Sequence, residues 1–560
     1  MNELKSFIDG ANRIIWATPA AMPALVVLLV GTGLYLTIRF RLIQIFAFKH
    51  AVQVIAGWYD NPDDEGEISH FQALTSALSA TIGIGNIAGV ATAIHYGGPG
   101  ALFWMWVTAS VGMATKFAEC TLSHHYREVA PDGTASGGPM YYIEKGLGRR
   151  WKWLAVLFAA CTVISSFGTG NSVQSFTVAD SMRADFGVPN WITGLVLASV
   201  VALVVVGGIK RIGRVTSRLV PFMFLLYVGG ALAVLFLNLE RIPETFALIL
   251  RQAFTPSGAV GGAAGSTVMF TLTWGVKRGL FSNEAGQGSA PIAHAAARTQ
   301  ESVREGVVAM VGPFVDTLLV CTLTGLVIVV TGAYHSRVED AITLGAGSGV
   351  TVVDTRTGGE PVGRNGTVDP DRLFTGRVPV VSGKPQGVAF VRNHSRVTSA
   401  RLTLDSEPLD GTLVVEAGAV QSVLRGAQVL QDVVLEGEML QNGSPLTAFA
   451  FRRALGHWGG YIVTFGVLLF AVSTAISWSY YGDRAIRYLL GPRAVLPYRL
   501  VYILVYFVAA LFPLEVVWGF GDAALGLMSI PNLIALFALS GVVVRLSRDY
   551  FARTHERVRR

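Results

Sequence analysis

The apolar stretch over residues 76–90 reads SALSATIGIGNIAGV and contains both glycines and polar residues. Gly83 and Gly85 lie close to Thr81 and Asn86, near the middle of a segment that is long enough to span a membrane. Glycines alone are typical of close helix packing, but the polar side chains between them favour an interrupted helix that lines a cavity. The released carbonyl and amide groups of such a helix are ligands for cations and carboxylates.

A second stretch of the same kind, residues 274–291, reads WGVKRGLFSNEAGQGSAP. It contains another Gly-x-Gly, at Gly286 and Gly288, and ends at Pro291. Two broken helices, one in each half of a helical bundle, indicate the binding site of a secondary transporter, because opposed half-helix ends offer amides to an anion and carbonyls to a cation. The alternative is a cytoplasmic loop from Lys277 onward, which the charges of this stretch favour.

Membrane-spanning helices are the elements that must position both stretches. Of the 560 residues, 52% are hydrophobic and only 14% are charged, which excludes a soluble protein of this size. Several apolar runs approach the ~20 residues that a helix needs to cross a bilayer. We predict eleven spans, at roughly residues 18–38, 72–96, 98–122, 152–177, 191–209, 217–237, 260–284, 306–332, 457–481, 498–512 and 514–545.

Lysine and arginine residues are distributed unevenly among the loops between these spans. The loops after odd-numbered spans hold most of them, for example Arg39, Arg149 and Arg211, which predicts that these loops are cytoplasmic and that the N-terminus is outside. The basic C-terminal tail is then cytoplasmic, provided that the residues around Pro531 form one broken span. The net charge of +7 therefore indicates the lipid bilayer, and not nucleic acid, as partner.

A segment of different character, residues 333–447, separates the eighth predicted span from the ninth. Short runs such as RVPVV and RLTL lie there between turn residues, which is typical of a β-rich domain. The predicted topology places this insertion outside the cytoplasm, in the periplasm or extracellular space. The transmembrane region then consists of residues 1–332 and 448–560.

Three motifs resemble the signatures of one known family. They are GIGNIAGV from Gly83, GGPMYYI from Gly137 and GLFSNEAGQGSAPIAHAAA from Gly279. With them, the chain resembles the alanine or glycine:cation symporter family, also called sodium:alanine symporters, over nearly everything except the β-rich insertion. The resemblance implies an all-α polytopic membrane protein with a LeuT-type inverted repeat of five plus five helices and one extra N-terminal helix. The extra helix would be residues 18–38, the first repeat 72–237, and the second repeat 260–332 together with 448–560.

The resemblance also implies roles for individual residues. The first unwound stretch would contact the substrate through Gly83, Gly85 and Asn86, with Thr81 close by. The third core helix and the second unwound stretch would line the pocket, and Trp478 would cap the small side chain of the substrate. The implied pocket-lining residues are Phe167, Gly170, Asn171, Gln174, Phe281, Asn283, Gly286 and Gln287.

The ninth predicted span contains the run FAVSTAISW, which is similar to the helix that bears the family's sodium site. The implied ligands are the hydroxyl groups of Ser473 and Thr474 and the backbone carbonyls of Ser79, Ile82 and Phe470. Such an all-oxygen site suits a hard cation. Without the resemblance, hydrogen bonds from the two hydroxyls to carbonyls of their own helix would be the simpler interpretation.

Three ionisable residues are further candidates for coupling or gating. Asp316 lies in the middle of the eighth predicted span, where a carboxylate indicates either a role in cation coupling or a pairing with a basic side chain. Arg278 and Glu284 either gate the pocket or brace the second broken helix, and the sequence does not separate these roles.

The residues and the resemblance together predict an inner-membrane symporter, not an enzyme. It would import alanine or glycine with sodium as co-substrate and without a cofactor. A proton in place of sodium is one alternative, which Asp316 keeps open. A membrane receptor that uses the β-rich domain is another, although the tail after Val544 is short for a signalling domain. Protein partners and oligomeric state are not predicted.

Overall fold

Helices form most of the chain. The computed structural model describes residues 10–16, 18–19, 23–131, 133–255, 268–345, 348–355, 368, 370–392, 395–511, 514–553 and 555. After a helical stretch over residues 10–16, the α-helices in chain order are α1 (Ala24–Arg39), α2 (Ile43–Phe46), α3 (Phe48–Ile55), α4 (His70–Thr81), α5 (Val90–Gly97), α6 (Ala101–His125), α7 (Pro139–Gly146), α8 (Lys152–Phe167), α9 (Val173–Phe186), α10 (Asn190–Val205), α11 (Gly208–Phe236), α12 (Ile242–Phe254), α13 (Val268–Asn283), α14 (Ala290–His294), α15 (Ser302–Ala309), α16 (Val311–Pro313), α17 (Thr322–Val330), α18 (Gly443–Leu455), α19 (His457–Leu490), α20 (Val495–Ala509) and α21 (Leu514–Phe551).

The first glycine-rich stretch forms a helix that is broken in the middle. A capping box starts α4: the Ser69 hydroxyl accepts from the Gln72 N–H, and the Gln72 side chain accepts from the Ser69 N–H. After α4, the chain bends at Ile82 and Gly83, and a π-helical turn over Gly85–Gly89 leads into α5. The two helices meet at 53°. The break therefore lies where the glycines and Asn86 predict it.

The second glycine-rich stretch separates α13 from α14. Within residues 284–289, Glu284, Gly286 and Gly288 have φ values of +54°, +87° and +81°. Glycine adopts these conformations at no steric cost, whereas a glutamate does so only when its surroundings hold it there. Every residue from 278 to 291 is buried, so this segment lies inside the protein.

Six helical segments among the described residues are long and apolar enough to cross a membrane, and the bent pair α4–α5 makes a seventh when it is counted as one span. Helices α1 and α10 are apolar but shorter. Helix α6 is long enough, but Lys116 and Glu119 lower its mean hydropathy. Residues 260–267 of the seventh predicted span lie outside the described residues. Pro531 lies inside α21, which is one continuous helix and not the broken span that the sequence predicts there.

The chain between α17 and α18 forms antiparallel sheets. A short hairpin, β1–β2, lies earlier, between α6 and α7. One sheet has the strand order β10–β9–β14–β3, and a larger one has the order β6–β5–β11–β12–β4–β7–β8 with β13 beside β12. Val352, Phe390 and Leu435 are fully buried in the core of this region. The strands are β1 (Glu128–Val129), β2 (Ala135–Ser136), β3 (Arg337–Thr343), β4 (Val350–Asp354), β5 (Gly376–Val381), β6 (Lys384–Pro385), β7 (Val388–Arg392), β8 (Ser395–Arg396), β9 (Thr398–Leu404), β10 (Glu407–Pro408), β11 (Gly411–Glu416), β12 (Ala419–Arg425), β13 (Gln428–Leu430) and β14 (Val434–Leu440).

Candidate functional site

Asp316 connects the two broken helices. It is fully buried and lies in a π-helical segment, Phe314–Cys321. Its Oδ1 atom accepts a hydrogen bond from Nδ2 of Asn86, at the first break, at 2.6 Å. Its Oδ2 atom accepts from the hydroxyl of Ser282, at the end of α13, at 2.8 Å and from the hydroxyl of Thr317 at 2.6 Å. The Asp316 carboxylate thus connects both breaks to the π-helical segment, and all of these hydrogen-bond donors are uncharged.

Asn86 also closes the turn at the first break. Its Oδ1 atom accepts from the N–H of Gly83 at 2.9 Å, and its own N–H donates to the Gly83 carbonyl at 3.1 Å. A Cβ atom on Gly83 would lie 2.6 Å from Oγ1 of Thr474 and 3.7 Å from Oε1 of Gln174. This Oε1 atom is buried and has no hydrogen-bond partner among the described residues. Gly83, Thr474 and Gln174 therefore meet at this turn. The Thr81 hydroxyl, in contrast, donates to a carbonyl of its own helix at 3.3 Å.

Oxygen atoms of α4 and α19 meet beside this break. The Ser79 carbonyl accepts from the hydroxyls of Ser473, at 3.3 Å, and Thr474, at 3.1 Å. The Ser473 hydroxyl also lies 2.9 Å from the Phe470 carbonyl. Ile82 is buried at the end of α4. Four of the five residues predicted to bind sodium are therefore neighbours, namely Ser79, Phe470, Ser473 and Thr474. The Thr474 hydroxyl bonds to a different helix from its own.

The helical segment made of α8 and α9 is interrupted as well, by a π-helical turn between the two helices. Gly170 in this turn lies against the indole of Trp478, because a Cβ atom on Gly170 would be 2.3 Å from Cβ of Trp478. The rings of Phe167 and Tyr502 pack with their centroids 5.8 Å apart. Asn171 donates to the Tyr502 carbonyl at 2.8 Å. Phe167 and Asn171 therefore contact α20, whereas Gly170 admits Trp478.

Glu284 holds the second break in place. Its Oε1 atom accepts from the indole N–H of Trp478 at 3.1 Å, and its Oε2 atom accepts from the hydroxyl of Ser289. These bonds join α19 to both sides of the break, and they explain how the positive φ of Glu284 is maintained. This geometry corresponds to bracing, one of the two roles that the sequence leaves open.

Phe281 is the residue of α13 that covers the first break. A Cβ atom on Gly85 would lie 3.3 Å from Cδ1 of Phe281. The guanidinium of Arg278 lies 5.6 Å from the Phe281 ring centroid and 5.4 Å from that of Trp274. Arg278 is therefore stacked between two aromatic rings of its own helix, an arrangement that stabilises a buried cation.

The other predicted pocket residues of the second break have different neighbours. Asn283 donates to the Thr317 hydroxyl at 3.3 Å, close to Asp316. Gln287 donates to the carbonyl of residue 280 in α13 at 2.9 Å. Gly286 lies against α1, because a Cβ atom on it would be 2.7 Å from Cδ2 of Leu29. Asn283 thus lies with the Asp316 cluster, whereas Gly286 packs on α1.

Sequence reasoning missed two residues that support the breaks, Ser282 and Asn532. Ser282 was not identified as a partner of Asp316. Asn532 in α21 donates to Oε1 of Glu119 and, at 2.9 Å, to the Gly286 carbonyl. The same oxygen of Glu119 accepts from the N–H of Gly288 at 3.1 Å. A polar side chain in an apolar helix is the available signal for Asn532, but it does not indicate which backbone group the side chain binds.

Replacing Gly170 with alanine is expected to destabilise the folded protein. The added methyl group overlaps Trp478, whose indole is held by Glu284, so the side chain cannot move aside without losing that hydrogen bond. Overpacking of this kind costs about 1–3 kcal/mol. The apparent melting temperature of the detergent-solubilised protein should fall for Gly170→Ala and not for Gly229→Ala, because Gly229 has open space around it. Equal melting temperatures would show that Trp478 is not fixed.

Comparison with known proteins shows the family of this chain. The model of the sodium:alanine symporter family matches residues 1–354 and 408–560. The sodium/alanine symporter AgcS of Methanococcus maripaludis is 39% identical over 547 residues, which cover 97% of each chain. An uncharacterized transporter of Haemophilus influenzae is 38% identical over 552 residues, which cover 98% of this chain and 97% of the relative. The protein is thus an integral membrane transporter and belongs to the sodium:alanine symporter family.

Proposed function

We propose that the protein imports a small neutral amino acid, alanine or glycine, together with sodium, by alternating access. The observation that carries the proposal is that both helix breaks meet at Asp316, and that the first break also lies against Thr474, whose hydroxyl bonds to the Ser79 carbonyl. A substrate site and a cation site that share one helix break are what coupled transport requires. The relative from Methanococcus maripaludis is named for sodium and alanine, which supports the same pair here.

The first break is the proposed substrate site. The amino-acid carboxylate would accept hydrogen bonds from backbone amides near Gly83 and Gly85, which have no side chains to keep it away. The substrate ammonium group would donate to Oε1 of Gln174, a buried acceptor without a hydrogen-bond partner in the described residues. Phe281 lies over Gly85 and would limit the substrate to a small side chain. Trp478, held by Glu284, would form the wall next to Gly170.

Sodium would bind where α4 meets α19. Two hydroxyl groups and the carbonyls of Ser79 and Phe470 supply oxygen ligands, and these atoms now hydrogen-bond to one another. A cation among them would replace these bonds and hold α4 against α19, which fixes the geometry of the break. Substrate then binds better with sodium present, and by linkage sodium binds better with substrate.

The proposed architecture is the LeuT-type repeat of five plus five helices with one extra N-terminal helix and eleven spans. The two buried breaks, at the starts of the two proposed repeats, support it. The loop charges support a cytoplasmic C-terminus, an external N-terminus and a β-rich insertion outside the cytoplasm.

A proton is the second candidate for the coupling ion. Asp316 favours it, because a fully buried carboxylate between two helix breaks is a site at which a proton can bind and be released. In that case the substrate site is unchanged, and only the driving gradient differs.

Uptake of radiolabelled alanine into proteoliposomes tests the proposal. We expect an inward sodium gradient to drive accumulation, a potassium gradient to have no effect, and Asn86→Ala to reduce uptake by about tenfold or more, because the turn at Gly83 and the contact to Asp316 are both lost. Accumulation driven only by a proton gradient would show that the coupling ion is a proton and not sodium. Absence of both uptake and binding for alanine, glycine and serine would refute the proposed function.

A further inference from the structure

Away from the proposed substrate site, three buried side chains join the two broken helices. Glu305 in α15 is fully buried, and His70 and His294 are each 1% exposed. Oε1 of Glu305 accepts from Nδ1–H of His70, the first residue of α4. Oε2 accepts from Nδ1–H of His294, the last residue of α14, at 2.6 Å. One carboxylate therefore uses both oxygens to connect one half of each broken helix.

The backbone makes a second connection at the same place. Ile68, just before α4, forms a parallel β-bridge with Ala297, just after α14. The N–H of Arg298 donates to the Ile68 carbonyl at 2.8 Å. The two segments are so close that a Cβ atom on Gly66 would lie 2.5 Å from the Ala297 carbonyl oxygen. The halves of the broken helices that carry His70 and His294 are thus joined by main chain as well as by side chains.

Charged and titratable groups of neighbouring elements surround this connection. Arg127, just after α6, donates to two carbonyls of the chain after α14, at 3.0 and 2.6 Å. Nε2 of His124 in α6 lies 3.4 Å from one of these carbonyls. Oδ1 of Asp60 lies 3.8 Å from Nε2 of His70. Helices α4, α6, α14 and α15 therefore meet in one polar cluster.

We propose that Glu305 is a positioning residue for transport. Together with His70 and His294 it makes the adjoining halves of the two broken helices one rigid unit, so that transport moves α4 relative to α19 and does not separate α4 from α14. This inference rests on the proposed transport function.

The two contacts of α4 differ in how easily they can be broken. Opening the cluster would leave a buried carboxylate and two imidazoles without their hydrogen bonds, which is strongly unfavourable. The contact of α4 with α19 includes hydroxyl-to-carbonyl bonds, such as that between Thr474 and Ser79, which a cation can replace. Movement is therefore expected at the second contact.

A disulfide between Ile68→Cys and Ala297→Cys tests the rigid unit, since residues paired in a β-bridge are close enough to be linked. In the full-length protein in proteoliposomes, we expect the disulfide to form at the same rate with and without sodium and alanine. The oxidised protein should keep at least about half of the uptake of the reduced protein. The unmodified protein, whose three cysteines are buried, is the control for the oxidant.

Glu305→Ala in this background is expected to slow disulfide formation and to reduce uptake, each by about tenfold or more, and the disulfide should then restore most of the uptake. His294→Asn is the conservative variant, because the asparagine amide nitrogen can donate in place of Nδ1. It should keep most of the uptake and most of the rate of disulfide formation. Glu301→Ala is the matched control: Glu301 precedes α15, and its ion pair with Arg553 at 2.9 Å is exposed. It should change neither measurement.

The proposal is overturned if the disulfide stops uptake, if its rate of formation depends on sodium and alanine, or if Glu305→Ala forms it as fast as the parent. It is also overturned if the disulfide fails to restore uptake to Glu305→Ala. Failure of the proposed function is distinct, because the unmodified protein would then take up no alanine, while the disulfide rates would still show whether the two segments stay together.

Discussion

Asp316→Asn is expected to abolish sodium-driven accumulation of alanine, with a fall in uptake rate of about 100-fold or more. The carboxylate accepts hydrogen bonds on both oxygens, from Asn86, Ser282 and Thr317. An asparagine in its place carries no charge, and its NH2 group cannot accept a hydrogen bond, so either Asn86 faces a second donor or the hydroxyls of Ser282 and Thr317 must turn and accept instead of donate. A hydrogen bond to a charged group contributes about 1.5–3 kcal/mol and a neutral one about 0.5–1.5 kcal/mol, so the change at three bonds corresponds to this factor.

Uptake and sodium-dependent alanine binding should be measured on the same proteoliposomes. Asp63→Asn is the matched control, since Asp63 is exposed in the loop between α3 and α4 and the same change of chemistry should have no effect there. Uptake by Asp316→Asn within about threefold of the parent protein would mean that the carboxylate only packs between the breaks. Loss of uptake with a normal elution profile and melting temperature would separate the effect on transport from misfolding.

The position of the helix breaks could be predicted from sequence because its cause is local. Glycine and asparagine at residues 83–86 lower the cost of leaving a helix, and the structure bends the chain at Ile82 and Gly83. The second break follows from Gly286 and Gly288 in the same way, because both adopt positive φ. Such signals act within a few residues and need no knowledge of the fold.

The partners at each break could not be predicted, because they come from distant parts of the chain. Asp316 lies 230 positions from Asn86, and the bond between Trp478 and Glu284 spans 194 positions. The sequence shows that each of these polar groups needs a partner, but several candidates satisfy that requirement equally. Gly286 illustrates the same limit: its type predicts the backbone conformation, whereas its contact with α1 depends on how the helices pack.

A count of spans based on hydropathy depends on how broken and polar helices are treated. Polar residues and breaks lower the mean hydropathy of some helices, although the segments Ser302–Val330 and His457–Leu490, which carry Asp316 and Thr474, still qualify as spans. The pair α4–α5 qualifies only when it is counted as one bent span, and α6 carries the buried pair of Lys116 and Glu119. A hydropathy window therefore detects a bent span, or a span with a buried charged pair, less well than the others.

Thr474→Val is expected to reduce the apparent affinity for sodium by about 5- to 150-fold, with a smaller effect on the maximal uptake rate at saturating sodium. Valine has nearly the same shape but no hydroxyl, so one of the proposed oxygen ligands is lost while the packing against Gly83 is kept. The loss of one ligand or hydrogen bond to a charged group corresponds to about 1–3 kcal/mol. Because the Ser79 carbonyl also loses a donor, the contact between α4 and α19 should weaken in sodium-free buffer too.

The sodium dependence of alanine uptake measures this effect, and two further variants interpret it. Thr474→Ser keeps the hydroxyl and should retain most of the affinity. Thr162→Val removes a buried hydroxyl whose bond among the described residues lies within its own helix, at 2.9 Å from the Phe158 carbonyl, and should leave the sodium dependence unchanged. An unaltered sodium dependence in Thr474→Val would place the cation elsewhere, and the carboxylate of Asp316 would then be the stronger candidate ligand, since it is the buried anionic group that both helix breaks share.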